Sequence, residues 1–166
     1  MGGSNLELDL YGGYKTEVAN GVSIEAGLLY YAYPGSSGGN FEFVEPYAKL
    51  GLVAGPAALT LGLAYAPAQD GIGGNDNIYV SADVAVPIAG TPLALAAHVG
   101  HSEGDSTLTA GGGHTDWSLG ASASWNALTL RVAYVDTDIS GTDALAAGAT
   151  RDIIDEAVLV SLTATF

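Results

Sequence analysis

Along most of this sequence every second side chain belongs to the same face, and that period fixes the kind of structure the chain can form. In the last segment, "EAVLVSLTATF", Val158, Val160, Leu162, Ala164 and Phe166 share one parity, while Leu159, Ser161, Thr163 and Thr165 share the other. Successive side chains of a strand point to opposite sides of a sheet. One side is therefore apolar and the other mostly hydroxylated. The same scheme runs through "NLELDLYGGY", "GVSIEAGLLYYAY", "VEPYAKLGLV", "ALTLGLAY", "NIYVSADVAV", "PLALAAHVG", "DWSLGASASW" and "ALTLRVAYV". This predicts about nine strands of roughly ten residues, the length a tilted strand needs to cross a bilayer. Pro46 removes a ladder donor and predicts a bulge or local irregularity.

The connections carry further information. They read "EVANGV" short, "PGSSGGN" long, "AGPA" short, "PAQDGIGGNDN" long, "PIAGTP" short, "SEGDSTLTAGGGHT" long, "WNA" short and "DISGTDALAAGATRD" long. Tight turns on one side and longer loops on the other are the asymmetry of outer-membrane barrels. Asn20-Gly21 fits a two-residue hairpin turn with positive φ. The most apolar window, Leu50 to Ala68, is split by Gly55-Pro56 and reads as a hairpin, so no helical membrane span is expected.

The expected fold class is therefore an all-β, antiparallel, up-and-down transmembrane β-barrel. Residues 5–166 form its single domain, and "MGGS", residues 1–4, reads as a cloning remnant or a truncated start. No signal peptide is recognisable at the front. Aromatic residues agree with the orientation: Tyr14, Trp125 and Phe166 fall beside the short turns, and Tyr30, Tyr65, Trp117 and Tyr134 toward the long loops, as two interfacial girdles require.

Charge excludes some functions. Asp+Glu 18 against Lys+Arg 4 gives a net charge of -14, a balance unsuited to nucleic acid. At 48% hydrophobic residues and a mean hydropathy of +0.29 the chain is too apolar for an acidic disordered tail. Cys 0 excludes disulfides and thiolate metal sites.

A soluble sheet normally exposes Lys, Glu and Arg on its wet face. Here that face carries Ser118, Gly120, Ser122 and Ser124 on one strand and Thr60, Gly62 and Ala64 on another. Small polar residues suit an enclosed lumen. Its expected lining is Glu7, Asp9, Glu25, Glu45, Lys49, Asp83, His98 and Arg131, with Lys49 and Arg131 as the strand cations available to pair with the carboxylates.

"DGIGGNDN" and "SEGDST" are oxygen-rich and could hold Ca²⁺, but match no calcium-loop pattern and read as solvated loops. His98 and His101 differ by three, so a strand places them on opposite faces and no zinc chelate with His114 is expected. Ser, His and Asp are too scattered to single out a triad, and "GGG" at 111–113 is a flexible loop. Tyr30, Tyr31 and Tyr33 could stack on a sugar, although a girdle is the plainer use. No catalytic residue, cofactor or metal is expected, and the chain does not read as an enzyme.

"NLELDLYGGY", "GVSIEAGLLYYAYPG", "FEFVEPYAKLGL", "LALAAHVGHSEGD", "DWSLGASASW" and "LTLRVAYVDTDI" resemble the C-terminal two-thirds of the TorF-family porins, a group of proteobacterial outer-membrane proteins. The resemblance covers nearly the whole chain and implies an outer-membrane barrel with a pore function. Family members have a signal peptide and further strands before the position matching Asn5. The bacterial even-strand rule points the same way, to a barrel of about ten to twelve strands.

The leading expectation is a bacterial outer-membrane porin passing small solutes, with an acidic lumen biased to cations. A closed structural or adhesive barrel is the alternative. A soluble lipocalin-like ligand-binding barrel, with Leu6, Leu8, Leu10, Leu59, Leu61 and Leu63 turned inward, is a further one. Expected partners are the lipid bilayer, lipopolysaccharide, the outer-membrane assembly machinery through the C-terminal strand, and a further copy through open strand edges.

Overall fold

The computed structural model describes residues 6–37, 39, 41–109, 112–141 and 155–165. Nine strands follow one another: β1 Leu8–Ala19, β2 Val22–Ala32, β3 Phe43–Ala54, β4 Ala57–Ala66, β5 Asn77–Pro87, β6 Leu93–Gly104, β7 Gly113–Trp125, β8 Leu128–Thr137 and β9 Ala157–Ala164. They form one sheet in sequence order, each strand antiparallel to the next. The expected short turns and long loops alternate along this meander. A closed barrel is not what the described strands form: β1 and β9 are the two edges of an open sheet.

Register preserves parity across the sheet. Tyr14 faces Ala26, Ala26 faces Ala48, Ala48 faces Leu63 and Leu63 faces Val80, all on one side. Leu10, Leu28, Leu61, Leu95, Leu119, Leu130, Val160 and Leu162 stand exposed on that same apolar face. Leu8, Leu10, Leu61 and Leu63 thus lie outward, opposite to where a lipocalin-like arrangement puts them.

The opposite, polar face is the inside of a curl. Tyr31 on β2 and His114 on β7 line one cavity of about 400 Å³. Five strand spacings laid flat would separate these strands by roughly 24 Å. Only a sheet curled around its polar face brings both to so small a space.

Two local expectations are met in part. At the first turn Gly21 has positive φ (72°) but Asn20 does not, and the register shifts between Glu17 and Ala19. The loop is the expected two residues, with Ala19 paired to Val22, and the bulge supplies the twist that positive φ at both would have given. At Pro46 the β2–β3 register runs on unbroken, with Leu28 opposite it. The β3–β4 ladder instead stops at Tyr47–Ala64, and the Gln69 side chain takes over beyond it. Its Oε1 accepts from Val44 N at 2.9 Å and its Nε2 donates to Val44 O at 2.9 Å.

The one buried apolar cluster described lies at the long-loop end. Ile72, in a 3-10 turn at Asp70–Ile72, is fully buried against Tyr33, Phe43 and Ala66, with Tyr31, Phe41 and Leu108 packed around them. Thr107 N donates to Ile72 O at 3.0 Å, and Asn75 Nδ2 to Asp105 O at 3.0 Å, which ties two long loops together. These loops cap one end of the curl.

Candidate functional site: a tyrosine and carboxylate network on the polar face

Asp9, Glu25, Glu45, Lys49, Asp83, His98 and Arg131 share the polar face, as the alternation requires: Asp9 lies opposite Tyr31, Glu25 opposite Lys49, Asp83 opposite His98, and Arg131 between Ser122 and Ser161. Glu7 precedes β1 and accepts a hydrogen bond from Tyr33. Burial, then that bond to a carboxylate, holds the Tyr33 hydroxyl well above the usual phenol range.

The carboxylates find partners of another kind than Lys49 and Arg131. Tyr31 donates to Glu45 at 3.3 Å and Tyr47 to Glu25 at 3.1 Å. Lys49 Nζ lies 5.2 Å from the Tyr47 ring centroid, and the two contacts within 4 Å between a basic and an acidic side chain among the described residues both belong to His98. Its Nδ1 meets Asp83 Oδ1 at 2.7 Å and its Nε2 meets Asp116 Oδ1 at 3.1 Å. Tyr79 closes the network: its hydroxyl reaches His98 Nε2 at 2.9 Å and Asp116 Oδ2 at 3.1 Å. Both imidazole nitrogens are thereby committed, so His98 is not directed at a serine hydroxyl and forms a structural clamp across β5, β6 and β7.

Glycines make these long reaches possible. The Tyr79 ring crosses β6 above Gly100, where an added Cβ would collide with the Tyr79 hydroxyl. The Tyr47 ring crosses β2 the same way, and a Cβ on Gly27 would lie 2.6 Å from Cζ of the ring. Each tyrosine spans the neighbouring strand because that strand has no side chain at the crossing.

Sequence parity had placed the charged lining but missed Tyr31, Tyr47, Tyr79 and Asp116 as parts of it. The signal was present, since Tyr79 shares the parity of Ser81 and Asp83, and Asp116 that of Ser118. The tyrosine cluster 30–33 divides: Tyr30 stands on the apolar face, whereas Tyr31 stacks on Phe43 at 4.3 Å on the polar side.

The predicted girdle residues Tyr14, Tyr30, Tyr65, Trp117, Trp125 and Tyr134 all take apolar-face register positions, and Phe166 lies outside the described residues. Tyr30, Tyr65 and Tyr134 hydroxyls donate to Glu42, Asp76 and Asp136 at 2.6, 3.0 and 3.2 Å. Each of these rings lies over the apolar face with its hydroxyl tied to a carboxylate near the long-loop end. His98 and His101 do face opposite ways, His101 meeting Thr115 on the apolar side. Among the described residues no group of three or more His, Asp or Glu is arranged to hold a metal.

At the loop end Asp138 acts as an extra rung. Its Oδ1 accepts from Thr115 N at 2.6 Å and its own N–H donates to Thr115 O at 3.0 Å. The bond from the Thr115 backbone holds the Asp138 carboxyl below its ordinary value of 3.8. A depressed folded value means the bond contributes fully above the ordinary value and is lost as pH falls through the folded one. Amide exchange at Thr115, compared with Asp138→Asn, should show protection that is steady above about pH 5 and falls in acid for the wild type alone.

Fold and site together define an all-antiparallel β-meander protein whose apolar side chains face outward and whose curled polar side is braced by tyrosine and carboxylate pairs. The whole chain, residues 1–166, matches the sequence profile of Gcw_chp, a bacterial protein family of unknown function, and belongs to that family. No curated protein and no solved structure matches it.

Proposed function

We propose that this chain forms a porin-like β-barrel of the bacterial outer membrane, passing small solutes through a lumen biased to cations. One observation carries the proposal: the sheet turns its large apolar side chains outward over nearly its whole area, and its hydrogen-bonded polar groups inward. Water makes that arrangement costly, by about 25 cal/mol per Å² of apolar surface left exposed. A bilayer removes the cost, and girdle tyrosines tied to carboxylates suit its interface. The similarity to TorF-family porins adds support from the residues themselves.

In a bilayer the edges of β1 and β9 must be paired. The two strands run in the same direction, so direct pairing gives a parallel seam. An all-antiparallel closure takes an odd number of further strands, as the family resemblance implies. The cation preference rests on Asp9, Glu25, Glu45, Asp83 and Asp116 outnumbering Lys15, Lys49 and Arg131 on the polar side.

A second reading, a closed structural barrel, is favoured by the loop cap centred on Ile72. Expressed protein should need detergent and migrate differently on gels with and without heating. In planar bilayers under a salt gradient, reversal potentials should favour cations, less so after Glu25→Gln with Asp83→Asn. A folded barrel without conductance selects the closed reading, and a monodisperse β-rich protein in plain buffer rejects both.

A further inference from the structure

The cavity of about 400 Å³ beneath the loop cap has a composition that the passage of ions does not use. Its size falls within the range of small-molecule sites, and its position, at the mouth of the curl, is where β-barrels commonly hold ligands. One wall is aromatic: the partly exposed Tyr31 stacks on Phe43 with 16° between the ring planes, and Tyr33 and Leu108 line the same wall. The other walls are polar and already oriented. Asn77 and Ser102 are buried and bond each other in both directions, Nδ2 to Oγ at 3.0 Å and Oγ to Oδ1 at 3.2 Å. Glu45 receives the Tyr31 hydroxyl on Oε2, which leaves Oε1 to accept another donor. His114 lines the same space, and its buried Nδ1 has no hydrogen-bond partner among the described residues.

A buried polar atom without a partner costs about 1–3 kcal/mol, and a bound group that supplies the partner recovers it. The ligand must therefore bring a hydrogen-bonding group to His114, a donor to Glu45 and a flat apolar face to Tyr31. Hydroxyl groups both donate and accept, which matches this mixture of amide, hydroxyl, imidazole and carboxylate. Carboxylates in and beside the wall, Glu45 and Asp116, disfavour an anion. We infer that the cavity is a binding site for a small neutral polyhydroxylated solute of monosaccharide size, its ring stacked on Tyr31 and its hydroxyls shared between Glu45 and His114. The site gives the porin reading a solute class, and it rests on that reading only for its role in transport.

The test uses the detergent-refolded 166-residue chain with D-glucose and D-galactose, followed by saturation-transfer NMR, with thermal melts by circular dichroism confirming that each variant is folded. Saturable binding of at least one sugar is expected, weakened about three- to tenfold by His114→Leu, the loss of one hydrogen bond. Tyr31→Ala should weaken it as well, so the proposal survives a folding failure of either variant. Absence of saturable binding to both sugars overturns it, as does wild-type affinity in both folded variants. Tetramethylammonium binding in preference to the sugars also overturns it, reassigning the cavity to an organic cation. Sugar binding without bilayer conductance removes the porin reading and leaves the site standing; conductance without sugar binding does the reverse.

Discussion

Ile72→Ala is expected to release the loop cap while leaving the sheet folded. Ile72 is completely buried among Tyr33, Phe43 and Ala66, and its carbonyl holds the Thr107 N–H from the neighbouring loop. Truncating a buried isoleucine to alanine costs about 2–5 kcal/mol in an ordinary core. The cap is a small cluster set apart from the β-ladders, so its own opening free energy is smaller than that of the whole protein. The loss therefore appears as local opening, not as global unfolding. Amide exchange at Thr107, Gly73 and Gly74 should accelerate while the strand amides keep their protection, and Ile72→Val, at about 0.5–1.5 kcal/mol, should leave the cap shut. Under the porin reading single-channel conductance rises in the alanine variant, because the cap stands over the lumen mouth. Unchanged exchange at Thr107 would show that the loops are held by something other than this cluster.

The order and the facing of the strands were legible because both depend on a period of two. A side chain's parity survives every antiparallel pairing with continuous register, so Leu50 opposite Leu61 follows once the short turn between β3 and β4 is placed. Closure was not legible in the same way. Whether β1 meets β9 depends on curl and stagger summed across the sheet, quantities that no single segment encodes. Pro46 shows a smaller limit. Its missing donor predicts a defect in the ladder, but the remedy came from Gln69, distant in sequence and recognisable only once the loop folds back on Val44.

The site divides along the same line. Charged residues of the polar face were found by parity alone, and their partners were not. Pairing Lys49 and Arg131 with the carboxylates treats charge as the only currency, whereas a phenol that reaches a carboxylate satisfies it without bringing a second ion out of water. The tyrosines reach so far because Gly27 and Gly100 leave the adjacent strand bare, and a glycine within a strand reads from sequence only as a weak point. His114 illustrates the remaining gap. Nothing in "GGGHTDW" marks its Nδ1 as buried and unpartnered; that follows from Ser102 lying opposite it and from the loop that folds above.

Those crossings make a sharp prediction about coupling. Gly100→Ala places a methyl group where the Tyr79 ring lies, and all three of its nearest contacts are Tyr79 side-chain atoms. Overpacking of this kind costs about 1–3 kcal/mol, and the ring must leave Asp116 and His98 to escape it. Tyr79→Ser alone loses the same hydrogen bonds, yet it opens room above Gly100. The double variant should therefore be less destabilised than the sum of the singles, with a coupling of about 0.5–3 kcal/mol in denaturant unfolding of the refolded protein. Gly120→Ala is the control, because its Cβ would meet Ala133 Cβ and Val132 O at 2.9 Å, contacts that Tyr79→Ser does not relieve. Gly120→Ala and Tyr79→Ser should add. Additive effects for the Gly100 pair as well would mean that the ring does not lie across β6, and the clamp joining β5 to β7 would have to be redrawn without it.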